Sequence, residues 1–311
     1  MKIHRQGEIH PRPQHPVVTS GTFDGVHVGH QKILNRLKEL AREVNGETVV
    51  LTFWPHPRLV LHPEDDSLKL LNTFEEKAAL LREAGIDHLV QIPFTEEFSR
   101  LSSQEFVQQV LVEKLGTQYL VIGYDHRFGR NREGGFEYLK ENADFFGFQV
   151  EEIPRQDIDD IGISSTEIRQ SLEIGDIAPA NLHLGRPYEI SGTVVSGERI
   201  GRNLGFPTAN IRVEEKFKLI PADGIYAVRV RHQHNTYGGM LYIGNRPTLQ
   251  GKTQSIEVNI FDFDQDIYGE SLTVSFLARI RGDMTLSGLE ALTAQLEKDH
   301  ASALAILKNN S

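Results

Sequence analysis

Residues 21–30 read GTFDGVHVGH. An apolar run, Pro16-Val17-Val18, leads into this stretch, and Ile33, Leu34, Leu37, Leu40, Ala41 and Val44 recur behind it on one helical face. It is therefore a junction from strand to loop to helix, and such junctions bind phosphate. Gly21, Gly25 and Gly29 let the backbone turn tightly and approach a ligand. A helix opening near Gly29 offers unpaired N–H groups and the positive end of its dipole. His27 and His30 share the loop, where two imidazoles can donate hydrogen bonds to an α-phosphate as charge develops in the transition state. Zinc is the competing chemistry for two histidines at this spacing. The chain has no cysteine, so a third ligand would have to be His56 or a carboxylate.

From Val17 to about Ile153, short apolar runs alternate with helical patterns: TVVLTF (48–53), HLVQIP (88–93), YLVIG (119–123) and FQVEEI (148–153). This alternation predicts a parallel sheet covered by helices on both faces. Thr73 with Glu76 and Ser102 with Glu105 fit the capping box, and Gly85 and Gly116 stand where helices end. Ligands of such sheets bind at the carboxyl ends of the strands, where the His27 loop lies. Two further strand ends carry polar groups: TVVLTF runs into WPHPR, and YLVIG into YDHRFGRNREGG with Asp125, His126, Arg127, Arg130 and Arg132. Ser164 and Glu167 then make a capping box for a helix ending at Gly175, on which Ser165, Thr166 and Arg169 share a face. Two hydroxyls and a guanidinium at a helix start form a cradle for phosphate oxygens.

Beyond His183-Leu184-Gly185-Arg186-Pro187 the pattern changes to closely spaced alternating runs, YEISGTVVSG, IYAVRVRH, GGMLYIGN, SIEVNIFDF and SLTVSFLARI. Strands without helices between them predict an antiparallel barrel or sandwich. A last helix is expected from about Leu286 to Leu307, packing through Leu289, Leu292, Leu296, Ala303 and Leu304. The chain thus reads as two domains, 1–183 and 184–311. In the second, GERIGRNLGFPTAN (197–210) is the informative stretch: Gly197, Gly201 and Gly205 permit close backbone approach, Arg199 and Arg202 supply charge, and Thr208 and Asn210 are hard oxygen ligands suited to Mg²⁺. Gly251-Lys252-Thr253 is not a P-loop, because Arg246 stands where its first glycine belongs. Ile256, Val258 and Ile260 alternate with Glu257 and Asn259, which puts the carboxylate on the other face of its strand.

The length of 311 residues allows two domains, each with its own core. The N-terminal MKIHRQGEIH has no apolar signal-peptide core, and no stretch reaches the roughly 18 apolar residues of a membrane span. A net charge of −10 supplies no basic face for nucleic acid. With no cysteine in the chain, a soluble protein of the reducing cytoplasm is expected.

H-x-G-H between strand and helix, followed by S-S-T-x-I-R at Ser164–Arg169, resembles the nucleotidylyltransferase superfamily, in which these motifs grip ATP. The longer G-T-F-D-G-V-H-x-G-H is similar to the bacterial bifunctional riboflavin kinase and FAD synthetase family. Pro55-His56-Pro57 and Gly123, Asp125, Phe128 and Gly129 match further motifs of that family. In the second half G-x-x-x-G-R-x-L-G-F-P-T-A-N is complete, and Gly224-Ile225-Tyr226-Ala227, Gly244-Asn245-Arg246-Pro247-Thr248 and Glu257 follow in order. The chain departs from the family at Trp54 (often aspartate), His126 (usually phenylalanine), Asn259 (often histidine), and Asp283 and Met284.

The resemblance implies an α/β nucleotidylyltransferase-type domain joined to a riboflavin kinase barrel. It implies ATP-dependent phosphorylation of riboflavin to FMN, then adenylylation of FMN to FAD with release of pyrophosphate. It assigns catalysis to His27, His30, Arg169 and Glu257. ATP and phosphate contacts fall to Gly21, Phe23, Asp24, Gly29, Ser164, Ser165, Thr166, Gly197, Gly201 and Arg202. Flavin contacts fall to His56, Asp125, Phe128, Gly205, Phe206, Pro207 and Tyr226, and Mg²⁺ to Thr208 and Asn210. A kinase with an inactive α/β half and a flavin-binding regulator without turnover are rival readings, against which the intact His27, His30 and Glu257 speak.

Overall fold

The computed structural model describes residues 1–6, 8–154, 163–197, 201, 204–248 and 251–310, so Arg199 and Arg202 lie outside the described residues. The chain forms two compact units, Met1–Ser165 and Thr166–Ser311.

The first unit is a six-stranded sheet of β1 (Lys2–His4), β2 (Val17–Ser20), β3 (Thr48–Trp54), β4 (His88–Pro93), β5 (Tyr119–Gly123) and β6 (Gln149–Ile153), in spatial order β1-β4-β3-β2-β5-β6. Every pairing is parallel. Its helices are α1 (Val28–Glu43), α2 (Pro57–Leu61), α3 (Phe74–Glu83), α4 (Glu96–Ser99), α5 (Ser103–Phe106, continued by π-helical turns over Val107–Lys114) and α6 (Phe136–Phe146). Both faces of the sheet are buried. Val49 and Leu51 pack with Phe106 and Leu111 on one side, and Val50 packs with Leu34, Leu37 and Leu81 on the other. That is why the strands read as continuous apolar runs. The capping boxes expected at Thr73–Glu76 and Ser102–Glu105 form. The short edge strand β1 has no apolar pattern and was not expected. The chain order reverses at β2, which pairs with β3 on one side and β5 on the other, so the crevice for a ligand lies at the carboxyl ends of β2 and β5.

The second unit holds α7 (Ser165–Glu173, its first residue belonging to the first unit), α8 (Ile177–Leu184), β7 (Tyr188–Val195), β8 (Ala209–Arg212), β9 (Gly224–His232), β10 (Asn235–Thr248), β11 (Gly251–Ile260), β12 (Ser271–Gly282) and α9 (Leu289–Asn309). The strands close into a barrel in the order β10-β11-β8-β7-β12-β9, all antiparallel where they pair. Tyr188, Ile190, Tyr226, Val228, Leu241, Val258 and Phe276 are buried in it. Helix α9 covers Ala227, Met240 and Phe261 with Leu296, Ala303, Ile306 and Leu307. The buried Asp299 fastens this helix to β12 through a two-pronged ion pair with Arg281, at 2.8 to 3.1 Å. Leu289 and Leu304, expected on the packing face, are exposed. Leu304 sits one residue off the stripe of Leu296, Asp299, Ala303 and Leu307, and one residue on a helix is a large rotation.

Helices α7 and α8 lie with the barrel, although the strand pattern begins only after them. Asn181 donates to the Phe276 carbonyl (2.9 Å) and accepts from the Tyr188 N–H (2.7 Å), and Arg279 donates to the Ile174 carbonyl (3.0 Å). A fragment of residues 166–311 is therefore expected to melt cooperatively and at a higher temperature than one of residues 184–311. Equal melting temperatures in parallel calorimetric scans would show that the two helices add nothing to the barrel.

Candidate functional site

The loop after β2 is held in a costly shape. Phe23 (φ 47°) and Val26 (φ 41°) occupy the left-handed region, beside Gly25 (φ 88°). Each such residue other than glycine costs about 1–3 kcal/mol and persists only where its surroundings over-determine it. Here the buried Asp24 carboxylate accepts from the N–H groups of Leu71 (3.0 and 3.1 Å) and Asn72 (3.2 Å). The Ser165 hydroxyl donates to the Asp24 carbonyl (3.0 Å), Thr52 to the Thr22 carbonyl (3.3 Å) and the Gln31 amide to the Val26 carbonyl (3.3 Å). Phe23 is buried, its ring against His30 at 5.0 Å, and a Cβ on Gly21 would come within 3.2 Å of that ring. Asp24 and Phe23, expected among the phosphate contacts, thus sit where they shape the loop.

His27 is the N-cap of α1, its Nδ1 accepting from the His30 N–H at 3.4 Å. That bond leaves the ring proton on Nε2, so His27 donates to a ligand from Nε2 alone. The two imidazoles stack with centroids 3.7 Å apart and planes 21° from parallel. Stacked rings at a helix N-terminus offer donors to an anion and do not converge on one tetrahedral metal. Among the described residues no group of three His, Cys, Asp or Glu side chains is placed to hold a metal.

Across the crevice, the His126 Nε2 and the Ser20 hydroxyl are 2.8 Å apart, joining the end of β2 to the loop after β5. The His126 Nδ1 is buried without a hydrogen-bond partner among the described residues. Burial drives its pKa down to about 4, aided by Arg127 and Arg132 and opposed by the Ser20 bond. Asp125 is exposed, and His56 caps α2 by accepting from the Arg58 N–H (3.2 Å). Phe128 is buried against Phe106 and Tyr138, a core position. Lys77 was not singled out in the sequence. It is 3% exposed, and its ammonium lies 3.4 Å from the Thr52 hydroxyl. The signal was present as a charge within the apolar stripe of Phe74, Ala78 and Leu81. Thr166 and Arg169 lie on α7, in the second unit.

In the barrel, the Gly201 carbonyl accepts from the N–H groups of Leu204 (3.1 Å) and Phe206 (2.9 Å), and Gly205 has φ 83°. A Cβ on Gly201 would strike the Phe206 carbonyl, and one on Gly197 the Asn210 side chain. Phe206 packs toward His300 of α9 and its apolar cluster, while Asn259 donates to the Pro207 carbonyl (2.7 Å). The turn so held aims the Thr208 hydroxyl at the Glu257 carboxylate (3.3 Å), which also accepts from Ser255 (2.8 Å). Glu257 is only 8% exposed and lies directly opposite Asn210 in the ladder. A carboxylate, a hydroxyl and an amide oxygen gathered in this way are a hard donor set that fits Mg²⁺ shared with phosphates. A cavity of about 550 Å³ is lined by Thr208 with Val194, Pro207, Val258, Ile260 and Asp264 among others, Val258 and Ile260 being on the opposite face of β11 from Glu257. Tyr226 is elsewhere. It stands in the row of Leu241 and Val258, on the opposite face from Glu257, with its hydroxyl on the Ala222 carbonyl and its pKa pushed up to about 12 by burial.

The stacked imidazoles at a helix start and the buried carboxylate beside a hydroxyl mark one candidate site in each unit. Residues 9–167 match the family model of FAD synthetase, and residues 184–307 that of riboflavin kinase. The bifunctional riboflavin kinase/FMN adenylyltransferase of Listeria monocytogenes is 41% identical over 290 residues, which cover 93% of this chain and 91% of that protein. Its counterpart in Bacillus subtilis is 36% identical, covering 94% and 93%. The chain belongs to the bifunctional riboflavin kinase/FMN adenylyltransferase family. A crystal structure described as a macrolide-efflux protein of Streptococcus pneumoniae is also similar, with 32% identity and a TM-score of 0.87 over 97% of this chain and 99% of that one. Among the described residues no helix is long and apolar enough to cross a membrane.

His126 makes stability depend on pH. Between its ordinary value of 6.5 and its folded value of about 4, the unfolded chain binds a proton that the folded chain does not. The contribution of the neutral ring is whole above pH 6.5 and is lost as pH falls toward 4. His4, also lowered by burial, acts in the same sense. Replacing His126 by Phe is expected to flatten this acid loss in denaturant titrations run between pH 7.5 and 4. An unchanged slope would mean that the folded protein carries the imidazole protonated.

Proposed function

We propose that the chain converts riboflavin and ATP to FMN and ADP, then transfers AMP from a second ATP to FMN, giving FAD and pyrophosphate. The observation that carries this reading is the presence, in one member of the family, of both the stacked His27–His30 pair at a helix start and the buried Glu257 beside Thr208 and Asn210. We assign adenylylation to residues 1–183 and phosphorylation to 184–311.

In the first reaction Glu257 accepts the proton of the riboflavin 5′-hydroxyl as its oxygen attacks the γ-phosphorus and ADP leaves. Mg²⁺ on Thr208 and Asn210, shared with ATP, would supply neutralising charge. The cavity beside Thr208 has room for the adenosine, and Gly205-Phe206-Pro207 borders the flavin. In the second reaction an FMN phosphate oxygen attacks the α-phosphorus of ATP and the bond to the β-phosphate breaks. His27, from Nε2–H, and His30 meet the charge that develops there. Ser164, Ser165, Thr166 and Arg169 take the polyphosphate, as the second motif of the family implies. This chemistry is mainly positioning and charge stabilisation. A chain with no cysteine suits the cytoplasm, where we place it.

Incubation with riboflavin, ATP and Mg²⁺, followed by chromatography, tests the whole reading: FMN and FAD should both appear. FMN alone would leave an active kinase with an idle α/β half, and no product would leave a binding protein. Replacing His27 or His30 by Ala is expected to slow FAD formation from supplied FMN by about 10²–10³ while FMN formation continues, the scale of one lost charge-stabilising donor. Glu257→Gln is expected to slow FMN formation by roughly 10²–10⁴, the range of a positioned base, and to leave FAD formation from FMN intact. Loss of both half-reactions in the Gln variant would indicate a damaged fold in place of a missing base.

A further inference from the structure

Lys77 is a buried cation for which neither half-reaction has a use. It projects from α3 beneath the loop of His27, with its Nζ 3.4 Å from the Thr52 hydroxyl and 5.5 Å from the centre of the Trp54 ring. An ammonium has three donors, and Thr52 is its one hydrogen-bond partner among the described residues. Asp24 of the loop is the charged group whose field it feels. Arg5 and Glu75, near the start of the same helix, are exposed and paired with each other. Burial opposes the charged form of this ammonium, and the Asp24 carboxylate and the Trp54 face offset part of that cost.

The hydrogen bonds run in one direction. Lys77 donates to the Thr52 hydroxyl, which donates to the Thr22 carbonyl at 3.3 Å, one residue before the left-handed Phe23. We propose that Lys77 is a positioning residue of the adenylylation site: its ammonium commits the Thr52 proton to the Thr22 carbonyl and so keeps the strained Phe23–Val26 turn in its phosphate-binding shape. A neutral amine has a lone pair and can accept from Thr52, which lets the hydroxyl turn away and frees the carbonyl. Burial lowers Lys77 to about 8, with Asp24 opposing, so the relay weakens as pH rises through that value. This inference rests on the loop of His27 being the adenylylation site.

The test is kcat/KM for ATP in the conversion of supplied FMN to FAD, measured from pH 6.5 to 9.5, because that ratio reports groups of the free enzyme. Wild-type protein should fall away above about pH 8. Lys77→Met, of similar length and uncharged, should be slower by about tenfold or more at pH 7 and should lose the fall at high pH, one hydrogen bond's worth of positioning. It should phosphorylate riboflavin normally. Lys77→Arg, which keeps the charge, should hold its plateau to higher pH. A Lys77→Met protein with the wild-type rate and profile would overturn the proposal. So would a slow variant that retains the wild-type pH midpoint, or one whose loss follows a lowered melting temperature. Wild-type protein that makes no FAD would instead overturn the functional assignment and is distinguishable at once.

Discussion

The turn from Phe23 to Val26 exists only because other parts of the first unit hold it. Two residues with side chains occupy left-handed backbone there, and the restoring bonds come from Leu71, Asn72, Thr52, Gln31 and Ser165. These contributors are scattered over most of the unit's length. The loop's geometry in turn places His27 as the cap of α1, and the cap fixes which imidazole nitrogen can donate. The placement of His27 therefore depends on a buried carboxylate that accepts from backbone N–H groups. An acidic residue in a loop proposed to bind phosphate looks misplaced by charge alone, and Asp24 directs its carboxylate to backbone N–H groups.

The chain carries a formal charge of −10 yet belongs to a family that uses the anions ATP and FMN. The two units handle that conflict differently. On the proposed reading the first would rely on oriented dipoles, a helix start with two imidazoles, which are not screened as a surface cation would be. The second would use the hard oxygens of Thr208 and Asn210, beside Glu257, to hold the Mg²⁺ proposed to come with the nucleotide. Neither needs a basic surface, so overall charge says little about what such a protein binds.

The barrel site illustrates how a turn becomes a reaction centre. Gly197 and Gly201 are required because Asn210 and the Phe206 carbonyl fill the space where a Cβ would be. Asn259 holds Pro207, and the strand register brings Asn210 opposite Glu257. Asn259 departs from the family's usual histidine and still supplies a donor to the turn. Helix α9 then covers the barrel near Phe206 and Phe261.

Much was legible in the residues alone. Apolar periodicity marked the strands from β2 to β6 and five of the six barrel strands. Capping boxes marked α3 and α5, and glycine spacing marked the tight turns before α1 and before β8, because each of these depends on neighbours within a few residues. What sequence could not decide was which polar or aromatic side chains would be buried, and against what. Phe128 and Tyr226 looked like flavin contacts and are packed in cores. Glu257 looked like the polar side of a half-exposed strand and is covered. The short edge strand β1, the seating of α7 and α8 on the barrel, the bond between Ser20 and His126 and the relay from Lys77 to Thr22 were invisible for the same reason. Each joins parts of the chain far apart in sequence, so it comes into being only when the sheet order and the barrel closure bring those parts together.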